Sequence, residues 1–337
     1  MNRLFMGMSM IFLVIGGCSK PIEIAESEVW GLPEIPPAFG AYNEPSDNPL
    51  TQEKWELGKR IFYDNALSID GSLSCASCHD PAFAFGSDVA TSPGVNQAPG
   101  TRNVPSLANT AWHPFYTREG GVPTLEMQVL VPIQESNEFN HNIVLIAEAM
   151  AADPDYVELT QTAFQTDPSP FTITRALAAF ERSMVSGASP YDKWWEGDVN
   201  AMSPSALSGM ELFDEKGCSA CHSGPLFSDF ELRNNGLYST YPDSGLYRLT
   251  LDPSDIGKFK TPSLRNLSFT APYMFDGSIA TLPEIIDHYS SGGANHPNQD
   301  PEITPFEISA LEREHLIEFL NSLNDPTFLA WCKSTKP

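Results

Sequence analysis

Hydrophobic positions along the chain recur mostly at the spacing of an α-helix. After residue 51, Trp55, Gly58, Ile61 and Phe62 share one face of a predicted helix. No run of alternating hydrophobic and polar residues predicts strands, so the pattern favours a mainly α protein. Further helices are predicted at 143–152, 155–164, 172–185, 283–290 and 309–323, the last of them opened by the capping box Ser309-x-x-Glu312.

An internal repeat divides the chain. Residues 57–64 lead into one copy of a short Cys/His string, and residues 208–214 lead into a second copy about one small domain later. Ser203, a favourable N-cap that is followed by a proline, marks where the helix of the second copy begins. Residues 51–200 and 201–337 are therefore predicted to form two domains.

The N-terminus has the pattern of an export signal. Arg3 precedes an apolar run over residues 4–15, which is too short to span a membrane. The run leads to Cys18 in a sequence that resembles a bacterial lipobox, so Cys18 is predicted to carry the lipid. Ser19 follows it instead of an aspartate, which favours anchoring to the outer membrane on its periplasmic side. Residues 1–18 are thus a predicted lipoprotein signal peptide.

Composition adds two constraints. The 337 residues include 29 Pro and 23 Gly, which predicts many loops, and residues 19–50, rich in Pro, Glu and Asn, are a predicted tether. The formal net charge of -24 excludes nucleic acid as a partner. This acidity either serves solubility or steers a small basic partner toward the protein.

The strongest chemical signal is a string that occurs twice. Each copy reads C-x-x-C-H, with the residues Cys75, Cys78 and His79 in the first and Cys218, Cys221 and His222 in the second. This string typically attaches a c-type haem through two thioether bonds, and its histidine is the proximal iron ligand. A zinc site shared by the two cysteine pairs would leave the histidines unexplained. The predicted fold is mainly α, with two cytochrome-c-like haem domains and long loops.

The sixth iron position decides what each haem does. A side-chain ligand there makes an electron carrier, whereas an open position beside an acid-base group makes a peroxidase. The stretch 124–139 offers Gln128, Glu135 and Glu138 for proton transfer. Composition alone does not choose among them.

The chain resembles the bacterial di-haem cytochrome c peroxidase family, which includes the MauG-type enzymes. The resemblance covers about residues 50 to 325 and rests on motifs in the expected order: the two C-x-x-C-H strings, 102–107 (RNVPSL), 125–138, 260–266 (KTPSLRN) and 271–277 (APYMFDG). It implies an oxidoreductase with two covalently bound haem c groups, in which the N-terminal haem reacts with peroxide. Family members are often homodimers.

The resemblance also implies roles for single residues on the peroxide side. The family has a glutamine, a proline four residues later and a glutamate ten residues later, and Gln128, Pro132 and Glu138 match that spacing. Glu138 is the predicted acid-base residue, and Gln128 is predicted to orient peroxide. Val95 stands where some members have a distal histidine, so the first iron is expected to be five-coordinate at rest, with His113 as the alternative ligand.

Between the haems, family members hold a calcium ion. The matching positions are Asn103, Thr270 and Pro272, whose oxygens suit this hard cation. On the second haem, most peroxidases of the family use a distal methionine, whereas MauG-type members use a tyrosine. The matching residue here is Tyr289, with Met274 as the rival ligand.

Two further positions depart from the family pattern. Arg118 replaces a tryptophan between the haems and cannot relay an electron hole as indole does. Trp112 and Tyr116 are candidates to replace it. Phe275 replaces the usual histidine of the Pro-Tyr-x-His-Asp-Gly string, which removes a polar contact near the second haem.

The predicted function is reduction of hydrogen peroxide in the periplasm, with electrons from a small cytochrome c or cupredoxin. A MauG-like oxidase that acts on a protein side chain and a non-catalytic di-haem electron carrier are the alternatives. Cys332 has no partner once the haem thiols and Cys18 are assigned, and it is predicted to be a buried or idle thiol.

Overall fold

The computed structural model describes residues 35–42 and 44–337, which are helical segments joined by long loops. The helices are α1 Gln52–Phe62, α2 Cys75–Cys78, α3 Leu125–Gln128, α4 Leu130–Gln134, α5 Ile143–Ala151, α6 Pro154–Phe164, α7 Pro170–Arg182, α8 Pro190–Trp195, α9 Pro204–Glu215, α10 Tyr247–Thr250, α11 Leu282–Ser290, α12 Ala310–Asn321 and α13 Pro326–Ser334. Strands β1 Leu232–Arg233 and β2 Phe259–Lys260 pair antiparallel, with Leu232 opposite Lys260. The predicted mainly α fold is confirmed.

Helix starts follow the predicted caps. The Ser203 side chain accepts a hydrogen bond from the backbone of Ala206 in α9, and Ser309 and Glu312 form their reciprocal capping box before α12. The helix predicted at 172–185 ends earlier, at Arg182, because the chain leaves the helical path at Ser183, whose hydroxyl donates to the Phe180 carbonyl. The short helices α8 and α13 were not predicted.

The sequence repeat is also a structural repeat. Helix α1 crosses α7 at Gly58, where a Cβ atom would lie 2.0 Å from the carbonyl oxygen of Ala176. Helix α9 crosses α12 at Gly209, where a Cβ atom would lie 1.9 Å from the carbonyl oxygen of His315. Any side chain at either glycine would push the two helices apart, so both crossings require the hydrogen that only glycine provides.

Each crossing forms the centre of one hydrophobic core. The first core contains the rings of Phe62, Phe85 and Phe180 with Cys75 at its edge, and the second contains those of Phe213, Phe227 and Phe319 with Cys218 at its edge. Helix α13 joins the first core through Phe328 and Cys332, although it is the last element of the chain. Cys332 is completely buried, as predicted, and burial raises the pKa of its thiol.

The described part of the predicted tether packs against the body of the protein. The Trp112 ring lies edge-on against Phe39 and Tyr42, with ring centroids 5.2 and 5.4 Å apart, and Asn48 donates to Glu126 at 2.8 Å. Residues 1–34, which include Cys18 and the predicted signal peptide, lie outside the described residues. Within the described range, no helix combines the length and the apolar surface needed to cross a bilayer. The predicted boundary between two domains at residue 200 stays a prediction.

Candidate haem sites

Both C-x-x-C-H strings form tight turns that present the two thiols and the histidine together. The first string forms α2, and the His79 amide donates to the carbonyl of Cys75 at 2.9 Å. The second forms a 3₁₀ turn, in which the His222 amide donates to the carbonyl of Cys218 at 3.0 Å. All four cysteines are half-buried free thiols. Among residues 35–42 and 44–337, no cluster of three metal-binding side chains completes a zinc site at either string.

The two histidines are held in the same way. Nδ1 of His79 lies 2.9 Å from the carbonyl oxygen of Phe85, and Nδ1 of His222 lies 3.1 Å from that of Phe227. A carbonyl oxygen only accepts, so Nδ1 carries the proton in both rings and Nε2 keeps a free lone pair. This is the tautomer that a haem iron requires from its proximal ligand.

The residues whose carbonyls orient the histidines have an unusual backbone conformation. Phe85 and Phe227 adopt positive φ angles of 57° and 51°, which bulky residues rarely do. Both phenylalanines are buried in the aromatic cores, which hold the backbone in place. The two strings are therefore prepared for the same ligand, and their thiols, turns and histidine tautomers fit covalently attached haem c.

Glu138 lies close to the first string. After burial, its carboxylate is one of the charges that raise the pKa of both the Cys75 and the Cys78 thiols. The amide of Val95 donates to the carbonyl of Glu138 at 2.9 Å, and the loop turns because the amide of Phe139 donates to the carbonyl of Pro132 at 3.1 Å. The structure thus places Val95, which stands at the family's distal-histidine position, directly beside the predicted acid-base residue.

Glu138 is an exposed residue, but neighbouring protein atoms partly desolvate its carboxyl group. Burial, followed by repulsion from the Glu135 carboxylate, raises its pKa. A carboxyl group with a raised pKa takes up and releases a proton nearer neutral pH than a fully solvated glutamate does. Glu138 therefore has the electrostatic setting of an acid-base residue, and Glu135, which is also exposed, contributes to it through its charge.

Gln128 lies at the C-terminal end of α3. The helix begins at Thr124, whose hydroxyl accepts from the amide of Met127. The side-chain oxygen of Gln128 is buried and has no hydrogen-bond partner among the described residues. A buried oxygen without a hydrogen bond costs folding free energy. This oxygen is therefore suited to accept a hydrogen bond from a bound molecule.

The side chains of Tyr289 and Met274 both contact the side-chain amide of Asn235, near the second string. Nδ2 of Asn235 lies 3.4 Å from the Tyr289 hydroxyl oxygen and 3.3 Å from the Met274 sulfur. Burial raises the pKa of Tyr289, the hydrogen bond from Asn235 lowers it, and the cysteines of the second string raise it further. Tyr289 thus lies near the second pair of cysteines, where the sequence predicted a distal iron ligand.

A strip of cationic side chains joins the two halves of the molecule. The backbone amide of Lys260 in β2 donates to the carbonyl of Arg118 at 2.6 Å, and Nζ of Lys260 donates to the carbonyl of Phe115 at 2.9 Å. Burial and then Arg102 lower the pKa of Arg118 to about 10, and burial and then Arg118 lower that of Lys260 to about 8. Two positive side chains are therefore packed together in a poorly solvated region.

The predicted calcium ligands fit a calcium ion poorly. The side-chain oxygen and the carbonyl oxygen of Asn103 both accept hydrogen bonds from the guanidinium of Arg118. The carbonyls of Thr270 and Pro272 accept no hydrogen bond from the described residues. Calcium takes six to eight oxygen ligands, and here a guanidinium already binds both oxygens of Asn103.

The remaining candidate residues and the departure at Phe275 have definite surroundings. The His113 ring packs at 4.8 Å from Phe230, and its Nδ1 lies 3.4 Å from Nζ of Lys260. Tyr116 donates to the carbonyl of Thr110, and the Trp112 indole donates to the carbonyl of Gly40. The ring of Phe275 stacks on Phe259 at 4.2 Å, so this position has an apolar contact where the family has a histidine.

Four features of these sites were not found from the sequence. They are the carbonyls of Phe85 and Phe227, the amide of Asn235 and the buried side chain of Lys260. A phenylalanine follows both strings, five residues after His222 and six after His79, and this spacing was the available signal. Asn235 carries no such signal, because it comes from a loop far from Tyr289 along the chain.

Comparison with known proteins agrees with this geometry. A family model described as di-haem cytochrome c peroxidase matches residues 52–200. The methylamine utilization protein MauG of Methylorubrum extorquens is 38% identical over 286 residues, which cover 83% of this chain and 80% of MauG. The cytochrome-c peroxidase IdrP1 of Denitromonas iodatirespirans is 35% identical over 314 residues, which cover 83% of this chain and 84% of IdrP1.

A solved structure extends the similarity to three dimensions. The crystal structure of a MauG-like protein associated with microbial copper homeostasis matches with a TM-score of 0.84 and 34% sequence identity, covering 88% of this chain and 96% of the other. Both halves of the chain, with both C-x-x-C-H strings, therefore have counterparts in known di-haem proteins. The chain belongs to the di-haem cytochrome c peroxidase family and is an oxidoreductase of a family that carries two covalently bound haem c groups.

Proposed function

We propose that the protein reduces hydrogen peroxide to water at the first haem site, using two electrons that arrive through the second. The proposal rests on the raised pKa of the Glu138 carboxyl together with the buried side-chain oxygen of Gln128, which has no hydrogen-bond partner among the described residues. Both residues lie in the segment that follows Thr124, and the Glu138 carboxylate is close enough to the first string to raise the pKa of its cysteines. A proton carrier and an unsatisfied acceptor are what a peroxide molecule needs from its surroundings.

The chain's own residues supply the proton transfers. Glu138 accepts a proton from one peroxide oxygen and returns it to the other, which leaves as water. The Gln128 oxygen accepts a hydrogen bond from the peroxide O–H and orients it. The haem iron, when bound, supplies the redox chemistry that breaks the O–O bond. The full reaction consumes one hydrogen peroxide, two protons and two electrons and yields two water molecules.

Tyr289 is the proposed distal ligand of the second haem. A phenolate oxygen is a hard anionic donor that favours ferric iron, in contrast to a methionine sulfur. Burial raises the pKa of this phenol, and the Asn235 amide within hydrogen-bond reach partly offsets that rise. Met274 would then serve as a packing residue that holds the same amide.

An aromatic surface beside the second site supports docking of an electron donor. Trp195 at the end of α8 is 64% exposed, and its ring stacks on Tyr191. Tyr191 lies 4.9 Å from the ring of Phe227, whose carbonyl orients the proximal histidine. Exposed Glu196 and Asp198 follow Trp195, so a small redox protein with a basic face, such as a cytochrome c or cupredoxin, is the proposed donor.

Tyr289 also favours a second candidate function. In this alternative the protein is a MauG-like oxidase, and the two electrons come from a side chain of a protein docked near Trp195 instead of from a reduced donor. The similarity to MauG and to the MauG-like crystal structure supports it. Arg118, which replaces the family's tryptophan between the haems, weighs against it.

The proposed location is the periplasm, with a lipid on Cys18 anchoring the protein to the outer membrane. The sequence pattern of residues 1–18 supports this location.

Steady-state kinetics test the proposal. Purified di-haem protein is mixed with hydrogen peroxide and a reduced small cytochrome c, and the oxidation of the cytochrome is followed by absorbance. The proposal expects two cytochromes oxidised per peroxide, and it expects the Glu138→Gln variant to lose this turnover. Peroxide consumption that leaves the reduced cytochrome unchanged but alters the mass of a co-purifying protein would support the oxidase instead.

A further inference from the structure

Arg118 holds a place that the resemblance assigned to a metal ion. Its Nε and Nη2 atoms lie 3.1 and 2.7 Å from the carbonyl oxygen of Asn103, and Nη2 also lies 3.2 Å from the Asn103 side-chain oxygen. Asn103 is 6% exposed, so this contact is made inside the protein. One cationic group thus binds both oxygens of the residue that was predicted to bind calcium.

Asn103 is held from its other side as well. Its backbone amide donates to the carbonyl of Phe275 at 2.8 Å, and its Nδ2 donates to the carbonyls of Val89 and Ala90, both at 3.3 Å. These bonds use the nitrogen atoms of Asn103 and direct its two oxygens toward the guanidinium. Rotating the amide to offer its oxygen elsewhere would break the contacts with Val89 and Ala90.

No carboxylate of the described residues makes ion-pair contact with Arg118, although Asp276 and Glu119 are near enough for their charges to raise its pKa. Within residues 35–42 and 44–337 it forms no ion pair, whereas the neighbouring Arg102 pairs with both Glu119 and Asp243. Buried cations generally require compensating acceptors, and the oxygens of Asn103 supply them here. The guanidinium is therefore an internal cation bound by neutral oxygens, which is also the type of environment in which a protein binds calcium.

We propose that the Arg118 guanidinium replaces the calcium ion between the haem sites, so that this protein neither binds nor requires calcium there. Replacement of one cation by another keeps a positive charge against the Asn103 oxygens. The carbonyls of Thr270 and Pro272 alone provide too few ligands for calcium, and the positive charge against the Asn103 oxygens repels a divalent cation there.

A backbone hydrogen bond of Arg118 helps to hold its guanidinium against Asn103. Its carbonyl accepts from the amide of Lys260, so the residue is pinned to β2 in the other half of the chain. The side chain consequently links Asn103 to β2 by protein contacts alone. A metal ion that bridged the same oxygens could be removed by a chelator, whereas this link is part of the chain.

Metal analysis and calorimetry test the proposal on the full-length di-haem protein. The protein is dialysed against calcium chloride, freed of unbound ion, and its calcium content is measured by emission spectroscopy. We expect no stoichiometric calcium, no heat of binding when calcium is titrated, and the same melting temperature and haem spectrum with and without EGTA. One tightly bound calcium ion per chain, whose removal by EGTA changes the spectrum, would overturn the proposal.

Variants then test whether Arg118 itself excludes the metal. Arg118→Gln removes the charge, and we expect calcium titration to show one new binding site in this variant. Arg60→Gln is the matched control, because it removes a positive charge from an exposed pair with Asp155 and should create no site. If Arg118→Gln folds with both haems and still binds no calcium, Arg118 is not the residue that replaces the ion. If the variant does not fold, the metal content of the unmodified protein decides.

Discussion

The amide of Val95 donates a hydrogen bond of 2.9 Å to the carbonyl oxygen of Glu138, and this bond joins two loops. The approach is close, because a Cβ atom on Gly94 would lie 1.8 Å from the carbonyl oxygen of Asn137. A valine at this position offers no ligand to iron, while the backbone of the same loop fixes the residue proposed to move the proton. The proposed acid-base residue is therefore held by the backbone of the loop in which a valine stands at the family's histidine position.

Replacing Glu138 by glutamine should lower peroxide turnover by about 10² to 10⁴, the range typical for loss of a general acid-base group. The amide keeps the size of the side chain but cannot carry the proton. The measurement is kcat/KM for peroxide with a reduced cytochrome c. Glu135→Gln is the control on the same loop, and it should retain most of the activity because Glu135 is not the proposed proton carrier. Full turnover in Glu138→Gln would contradict the proposed mechanism.

Replacing Tyr289 by phenylalanine should raise the reduction potential of the second haem, on the order of 100 mV, because a hard anionic ligand is lost. Spectroelectrochemical titration of the purified protein measures this potential. Met274→Leu is the control, since the same Asn235 amide contacts both side chains. A large shift in the methionine variant with none in Tyr289→Phe would assign the iron ligand to Met274.

Glu181 should make the protein less stable as the pH rises. Burial raises the pKa of this carboxyl from its ordinary 4.5 to about 8, while Arg182 lowers it and Glu126 raises it. The folded state therefore holds a proton that the unfolded state releases, so the free energy of unfolding falls between pH 4.5 and pH 8. The contribution is a few kcal/mol, at about 1.4 kcal/mol per pKa unit.

Urea unfolding of the di-haem protein at pH 5 and pH 8 measures this effect. Glu181→Gln should reduce the difference in unfolding free energy between the two pH values, because glutamine has no proton to lose. The exposed Glu135→Gln variant should keep the full difference. Identical pH dependence in Glu181→Gln and the unmodified protein would show that Glu181 is not the group responsible.

Replacing Arg265 by leucine should destabilise the second half by about 3–5 kcal/mol, the usual effect of leaving one partner of a buried ion pair alone. Both Nη atoms of Arg265 lie 2.8 Å from the carboxylate oxygens of Asp192 in α8, and both side chains are buried. Urea unfolding measures the loss. The double variant Arg265→Leu/Asp192→Asn should recover part of it, and two independent, additive losses would exclude coupling between the residues.

The sequence predicted best those features that depend on neighbouring residues. The haem strings, the caps at Ser203 and Ser309 and most helix bounds follow from local spacing, and the structure has them. Contacts between distant loops were not predicted. Asn235 and Tyr289 are 54 positions apart in the sequence, and no local sequence pattern predicts that their side chains come into contact.

Arg118 shows why a substitution is hard to interpret before the fold is known. From the sequence alone, Arg118 is only a residue that stands where family members have a tryptophan. Its meaning depends on the oxygens of Asn103, which lies 15 positions away, and on the amide of Lys260 from the other half of the chain. The calcium expectation treated Asn103 separately from Arg118, and only the folded arrangement brings the two together.

Helix α13, at the C-terminus, completes a hydrophobic core that is otherwise built from the N-terminal half of the chain. Phe328 and Cys332 lie in the core that borders Cys75, and the Thr335 hydroxyl lies 2.7 Å from that of Tyr63. While the chain is being made, Cys75 is synthesised long before these residues. The hydrophobic core beside Cys75 is therefore incomplete until the last helix of the chain has been made.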